Sequence, residues 1–170
     1  PGADERRNVM ASPTAGVDVG ELIDTRSLVS AIADRLASVR AAGVAPKFGA
    51  LVDGGGAVHV RGRRHDVALG AIRCPDGSVQ YEVCLADALP LRHAPDDALW
   101  LVRPAHALRV VDAIVDVCAP HGRAAEAMDA RGREQVWGDV VRRSSGTLSR
   151  QHGRDVDLLP GASRPAVAVH

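Results

Sequence analysis

A chain of 170 residues with 21 basic and 21 acidic side chains carries a formal net charge of zero, which argues against nucleic-acid or membrane-surface binding, since both need an excess of one sign. Aromatics make up 2% of the residues, so stacking platforms for single-stranded bases are lacking too, and the core must come from Val, Leu, Ile and Ala. The length fits one domain with a tail and buries a real core. Cys74, Cys84 and Cys118 lie far apart without a CxxC; an odd number of cysteines and no signal peptide point to a reducing, cytoplasmic setting. No apolar run approaches the roughly 20 residues of a membrane span.

In chain order, residues 1–23 read as an extended arm, with "ASPTAG" turn-like and Pro13 turning Ser12 away from helix. The opening at Pro1 rather than Met, running into "RRNVMASP" from Arg6, reads as the middle of a longer protein. "DTRSLVSAIADRLASVRAAG" predicts a helix: Asp24 or Thr25 caps it, Leu28, Ile32, Leu36 and Val39 form its apolar face, and Gly43 ends it. A strand is expected from Lys47 to Asp53, closed by the turn glycines Gly54–Gly56. "AVHV", "DVALGAI" and "SVQYEVCLA" follow as strands, the last two joined by the hairpin signal Pro-Asp-Gly. "DALWLV" is a further short strand, and Pro104 sits at the start of a helix whose face is Leu108, Val111, Ile114, Val115 and Cys118. "RAAEAMDARGREQVWGDVVRR" is helical with an interruption at Gly132, and residues 144–170 read as a linker or tail. The sum is an α+β domain over residues 24–143, a largely antiparallel sheet with helices packed on it. "DGGG" is followed by a strand rather than a helix, so it is a turn and not a dinucleotide loop.

Lys47, the chain's one lysine, opens an otherwise apolar strand. On an ideal strand Lys47, Gly49, Leu51 and Asp53 share a face, and Phe48, Ala50 and Val52 share the other. A cation in that place is either a solvated strand end or a ligand for an anion. His59 and His65 flank the basic turn "VRGRRH"; no HxH or HExxH spacing occurs, so no metal site is expected.

"RNVMASPTAG", an amphipathic helix and then "APKFGALVDGGG" resemble, in order and spacing over about residues 6–140, the nitrite and sulfite reductase haemoprotein superfamily. Within it, "SPTAGVDVGELIDTR" and "PKFGALVDGGG" are most similar to the precorrin-3B synthase branch, an oxygen-using oxidoreductase of cobalamin biosynthesis. The resemblance implies a half domain of that fold. It places Arg7 (of "RN") and Lys47 (of a KFK-like motif) on an anionic substrate group, as the catalytic pair. The family's second lysine is replaced by Gly49, which removes a cation, opens volume and favours a tetrapyrrole with carboxylates over sulfite or nitrite. Arg131 and Arg133 of "DARGREQV" stand where the family places basic residues near tetrapyrrole carboxylates, a role suited to bidentate arginine; a solvated helix face is the other reading. The family's Gly-Gly-Gly loop after the last hairpin strand is absent, with "CLADALPLR" in its place.

The same resemblance implies a [4Fe–4S] cluster in the full-length family, held by cysteines of a second half for which this chain offers no ligands, and it allows a sirohaem. The partners implied are a tetrapyrrole, the missing C-terminal half and an electron donor the sequence does not name. The function implied is hydroxylation of precorrin-3A with O2. The alternatives are a sulfite or nitrite reductase fragment, or a tetrapyrrole- or anion-binding module without chemistry.

Overall fold

The computed structural model describes residues 8–39, 44–91 and 98–152. Six strands form one sheet in sequence order: β1 (Val9–Ala11), β2 (Ala50–Asp53), β3 (Val67–Arg73), β4 (Val79–Leu85), β5 (Ala98–Val102) and β6 (Leu148–His152). The pairings from β3 to β6 are antiparallel, whereas β1, β2 and β3 run parallel. The architecture is α+β with a mostly antiparallel sheet, as the sequence predicts. No helix among the described residues is long and apolar enough to cross a membrane.

The alternation of the strands sorts their side chains. Ala50, Val52, Val67, Leu69, Ala71, Tyr81, Val83 and Leu85 face the helices and join the main core. Leu51, Ala68, Asp53, Glu82 and Cys84 occupy alternate positions and so face the other side. Helix α1 (Arg26–Val39) buries Ile32, Leu36 and Val39 and starts where predicted, with Asp24 Oδ1 accepting the Arg26 N–H at 3.0 Å. Gly43, the expected stop, lies outside the described residues. Helix α2 (Ala107–Cys118) follows a 3-10 turn at Pro104–His106 and buries a wider face than expected, adding Val110, Ala113 and Val117, while Leu108 is exposed. Arg35 of α1 ties the two helices together through Asp112 (2.7 Å) and Asp116 (2.9 Å) of α2. Gly132 (φ 85°) divides the last helical stretch into α3 (Ala124–Arg131) and α4 (Arg133–Arg143), because that backbone conformation strains any residue with a Cβ.

Four expectations need correction. Residues 9–11, inside the predicted arm, form the edge strand β1, and Leu148–His152, inside the predicted linker, form β6. Residues 57–60 ("AVHV") form no strand; the link from β2 to β3 is instead a non-helical crossover that brings β3 in parallel to β2. Lys47 is not in the strand either: it lies in the turn that Phe48 closes on the Ala45 carbonyl (2.9 Å), and β2 starts at Ala50. The hairpin at Cys74–Ser78 forms as predicted, with Gly77 at φ 81°.

The crossover explains a buried charge. Arg61 lies over the helix-free face with its side chain 1% exposed, its Nε 3.5 Å from Asp53 and its NH1 3.5 Å from Glu82. It also donates to the carbonyls of Ala71 (3.0 Å) and Pro90 (3.3 Å). A Cβ on Gly70 would stand 2.6 Å from the Arg61 NH2, so the glycine in β3 makes room for the guanidinium. Asp53 in turn accepts the N–H groups of Gly55 (3.0 Å) and Val60 (2.9 Å), which fixes the first half of the loop.

Candidate functional site

The parallel start of the sheet gathers the N-terminal ends of β1, β2 and β3 beside the C-terminal end of β4. Asp66, 2% exposed, organises this mouth. Its carboxylate accepts the Gly49 N–H (2.9 Å), the Ala124 N–H (3.0 Å) and two Arg123 N–H groups (2.9 and 3.1 Å). Its backbone pairs with Gly49 and Ala86. Asp66 thus joins three places: its carboxylate ties the turn before β2 to the start of α3, and its backbone carbonyl accepts the Ala86 N–H at the end of β4. The Arg123 guanidinium raises no packing problem, since it reaches solvent on its far side.

Lys47 is exposed on the turn before Gly49. Asn8 donates through its side-chain amide to the Pro46 carbonyl, which fastens that turn to the chain entering β1. Arg7 lies outside the described residues. A Cβ built on Gly49 would meet the His65 ring at Cδ2 (3.4 Å) and the Asn8 carbonyl (3.6 Å). The volume left by the missing side chain at position 49 is therefore bordered by an imidazole, which the sequence alone does not place there.

A groove of about 630 Å³ opens beside this mouth. It forms because the β4–β5 ladder extends only to Val83↔Trp100, so Cys84 and Leu85 diverge from Leu99 and Ala98. Its walls include Glu82, Arg133, Trp137 and Arg150. Trp100 and Trp137 stack with centroids 5.1 Å apart, and the Arg150 guanidinium lies 5.9 Å from the Trp100 ring centre. Asp87 belongs to both places: it lines the groove, its carbonyl accepts the His65 N–H (3.5 Å), and its carboxylate faces Arg64 at 3.8 Å.

The two arginines of "DARGREQV" part company. Arg133, at the start of α4, lines the groove and is exposed. Arg131 is not among the groove residues; it pairs with Asp139, which Arg142 also contacts. These guanidiniums hold the Asp139 carboxyl below the usual carboxylate range, with the Arg131 hydrogen bond the largest cause.

The profile of the family described as the nitrite and sulphite reductase 4Fe-4S domain matches residues 2–137. The chain belongs to that family. It is also similar to the ferredoxin–nitrite reductase of Synechococcus elongatus, at 25% identity over 190 aligned positions that cover 99% of this chain and 35% of that protein. The chain thus spans about a third of the length of the curated relative it matches.

The family's description includes a [4Fe–4S] domain, and the residues present do not fit such a cluster. The chain has three cysteines, and a cluster needs four thiolates converging on one point. Cys74 sits at the hairpin, Cys84 in β4 beside Glu82, and Cys118 in the core face of α2. Burial pushes all three thiols up, Cys118 to about 12, the opposite of what a thiolate ligand requires. Among the described residues no group of three or more His, Cys, Asp or Glu side chains is placed to hold a metal ion.

The raised thiols have a consequence for stability. A folded-state pKa above the unfolded value means the unfolded chain releases its proton first, so stability is intact below about pH 8.5 and declines as pH rises toward 12. Thermal unfolding between pH 8.5 and pH 10 should show a smaller decline in Cys118→Ala than in the wild type. Equal declines in the two proteins would contradict the assignment.

Proposed function

We propose that this chain supplies the tetrapyrrole-facing wall of an oxidoreductase in the nitrite and sulphite reductase family, of the precorrin-3B synthase kind. In this reading a second, cluster-bearing half completes the enzyme, and the reaction is the O2-dependent hydroxylation of precorrin-3A. The observation that carries the choice of substrate class is position 49. A compact dianion such as sulfite is best held by paired permanent cations, but here Lys47 is followed two residues on by a glycine whose missing side chain is bordered by His65. The adjoining groove offers Arg133 and Arg150 around a tryptophan pair, a combination suited to an apolar macrocycle edge with carboxylates. Lys47, with Arg7 from the same end of the chain, binds the anionic group of the substrate; Arg133 takes a peripheral carboxylate, while Arg131 is the weaker candidate because Asp139 already holds it. The chain's own contribution is binding and orientation, and the cluster, in the other half, supplies the electron transfer.

An absorbance titration of the purified chain with sirohaem tests this. Saturable binding is expected, weakened about tenfold in Lys47→Ala and in Arg133→Ala, the size expected for loss of one charge-assisted hydrogen bond. No saturable binding by the folded wild-type chain, or binding indifferent to both substitutions, would overturn the proposal. A spectral change of the complex on adding sulfite or nitrite would favour the reductase reading instead.

A further inference from the structure

We infer that His65 is the second, titratable member of the anion site at the mouth, taking the place of a side chain at position 49 and presenting its Nε2 to a carboxylate bound beside Lys47. This rests on the mouth being a carboxylate site, as proposed above. The ring edge turned toward Gly49 carries Cδ2, 3.4 Å from where a Cβ would stand, and Nε2 is bonded to Cδ2. Nδ1, on the other side of the ring, lies 3.3 Å from the Arg63 carbonyl, an acceptor that retains a proton on Nδ1. Nε2 is then an acceptor in the neutral ring and a donor in the charged one. No described residue forms a hydrogen bond with it.

The charged groups around the ring leave that role open. Asp66, next in the chain, is occupied by Arg123 and by the N–H groups of Gly49 and Ala124. Asp87, whose carbonyl receives the His65 N–H, has its carboxylate turned to Arg64. Arg63 and Arg64 are exposed on the same loop, and Lys47 is exposed on the turn across from it. Among the described residues the nearby carboxylates are engaged by arginines, and we assign the imidazole's carboxylate partner to a ligand. An imidazole gains charge as pH falls from about 8 to 5, so a site with one fixed ammonium and one imidazole holds a carboxylate more tightly in acid, whereas two ammoniums would hold it equally across that range.

Sirohaem titrations at pH 6 and pH 8 test this with wild type, His65→Ala, His65→Arg and Lys47→Ala, each checked for native circular dichroism. The wild type should bind about fivefold more tightly at pH 6, the difference between a charge-assisted and a neutral hydrogen bond. His65→Ala should lose that pH dependence and bind weakly at both values, and His65→Arg should bind tightly at both. The same pH dependence in wild type and His65→Ala, with Lys47→Ala still weakened, would overturn the role of His65 and leave the anion site standing. Absence of binding by the wild type at both pH values would overturn the site and His65 with it.

Discussion

Arg61→Ala should cost about 3–5 kcal/mol of stability, the usual penalty for removing one partner of a buried ion pair. The guanidinium faces Asp53 and Glu82 across the helix-free side of the sheet, and all three side chains are at least 97% buried. Its loss would also free the Pro90 and Ala71 carbonyls it now serves. Urea unfolding measures the change. Gly70→Ala provides a second check, because the new Cβ would stand 2.6 Å from Nη2 and 3.0 Å from Cζ, so the buried guanidinium would have to shift from its partners. The two substitutions damage one arrangement, so their combined effect should fall short of the sum. An Arg61→Ala protein within 1 kcal/mol of wild type, about the range of a surface substitution, would contradict the burial of this network.

Asp66→Ala should be the second large effect, about 3 kcal/mol. Hydrogen bonds to a charged group contribute about 1.5–3 kcal/mol each, but Arg123 can recover part of its loss by turning to water. The N–H groups of Gly49 and Ala124 would lose their shared acceptor. The turn that carries Lys47 would then lose its tie to the first residue of α3 and keep on that side the Ala45 N–H bond to the Gly122 carbonyl, so sirohaem binding should weaken along with stability. Asp139→Ala is the contrast: its partners Arg131 and Arg142 are partly or largely solvent-accessible, and exposed pairs of this kind are worth about 0–1 kcal/mol. Equal losses for Asp66→Ala and Asp139→Ala would show that Asp66 is no more than a surface pair.

The elements that the sequence determined by itself are those held by local chemistry. The apolar spacing of Ile32, Leu36 and Val39 and the Asp24 cap specify α1. Pro104 and the run from Ala107 to Cys118 specify α2, and Pro-Asp-Gly specifies the β3–β4 hairpin. Ala50 and Val52 of β2 point into the core as alternation predicts, and Phe48 joins them from the turn before the strand. Family membership was legible too, in the order and spacing of short motifs over about residues 6–140, and the family match covers residues 2–137.

Tertiary structure alone decided the rest. The parallel pairing of β2 with β3 depends on where the loop between them is anchored, and its anchor, Arg61, answers to Glu82, 21 residues away. The edge strand β1 is only three residues long and β6 (LSRQH) is mostly polar, so neither carries an alternating apolar pattern; both exist because a neighbouring strand offers them a ladder. Asp66 reads only as the first residue of the strand "DVALGAI" until Arg123, 57 residues on, closes over it. His65 reads as one of several scattered histidines until the fold sets its ring against Gly49. Arg131 and Arg133 are two residues apart and alike in sequence, yet Gly132 sends them to different helices, one to Asp139 and the other to the groove. A helix or a hairpin is stabilised by groups a few residues apart, so its signal is local; a buried charge or a shared binding surface is stabilised by groups distant in sequence, and only the folded chain brings them together.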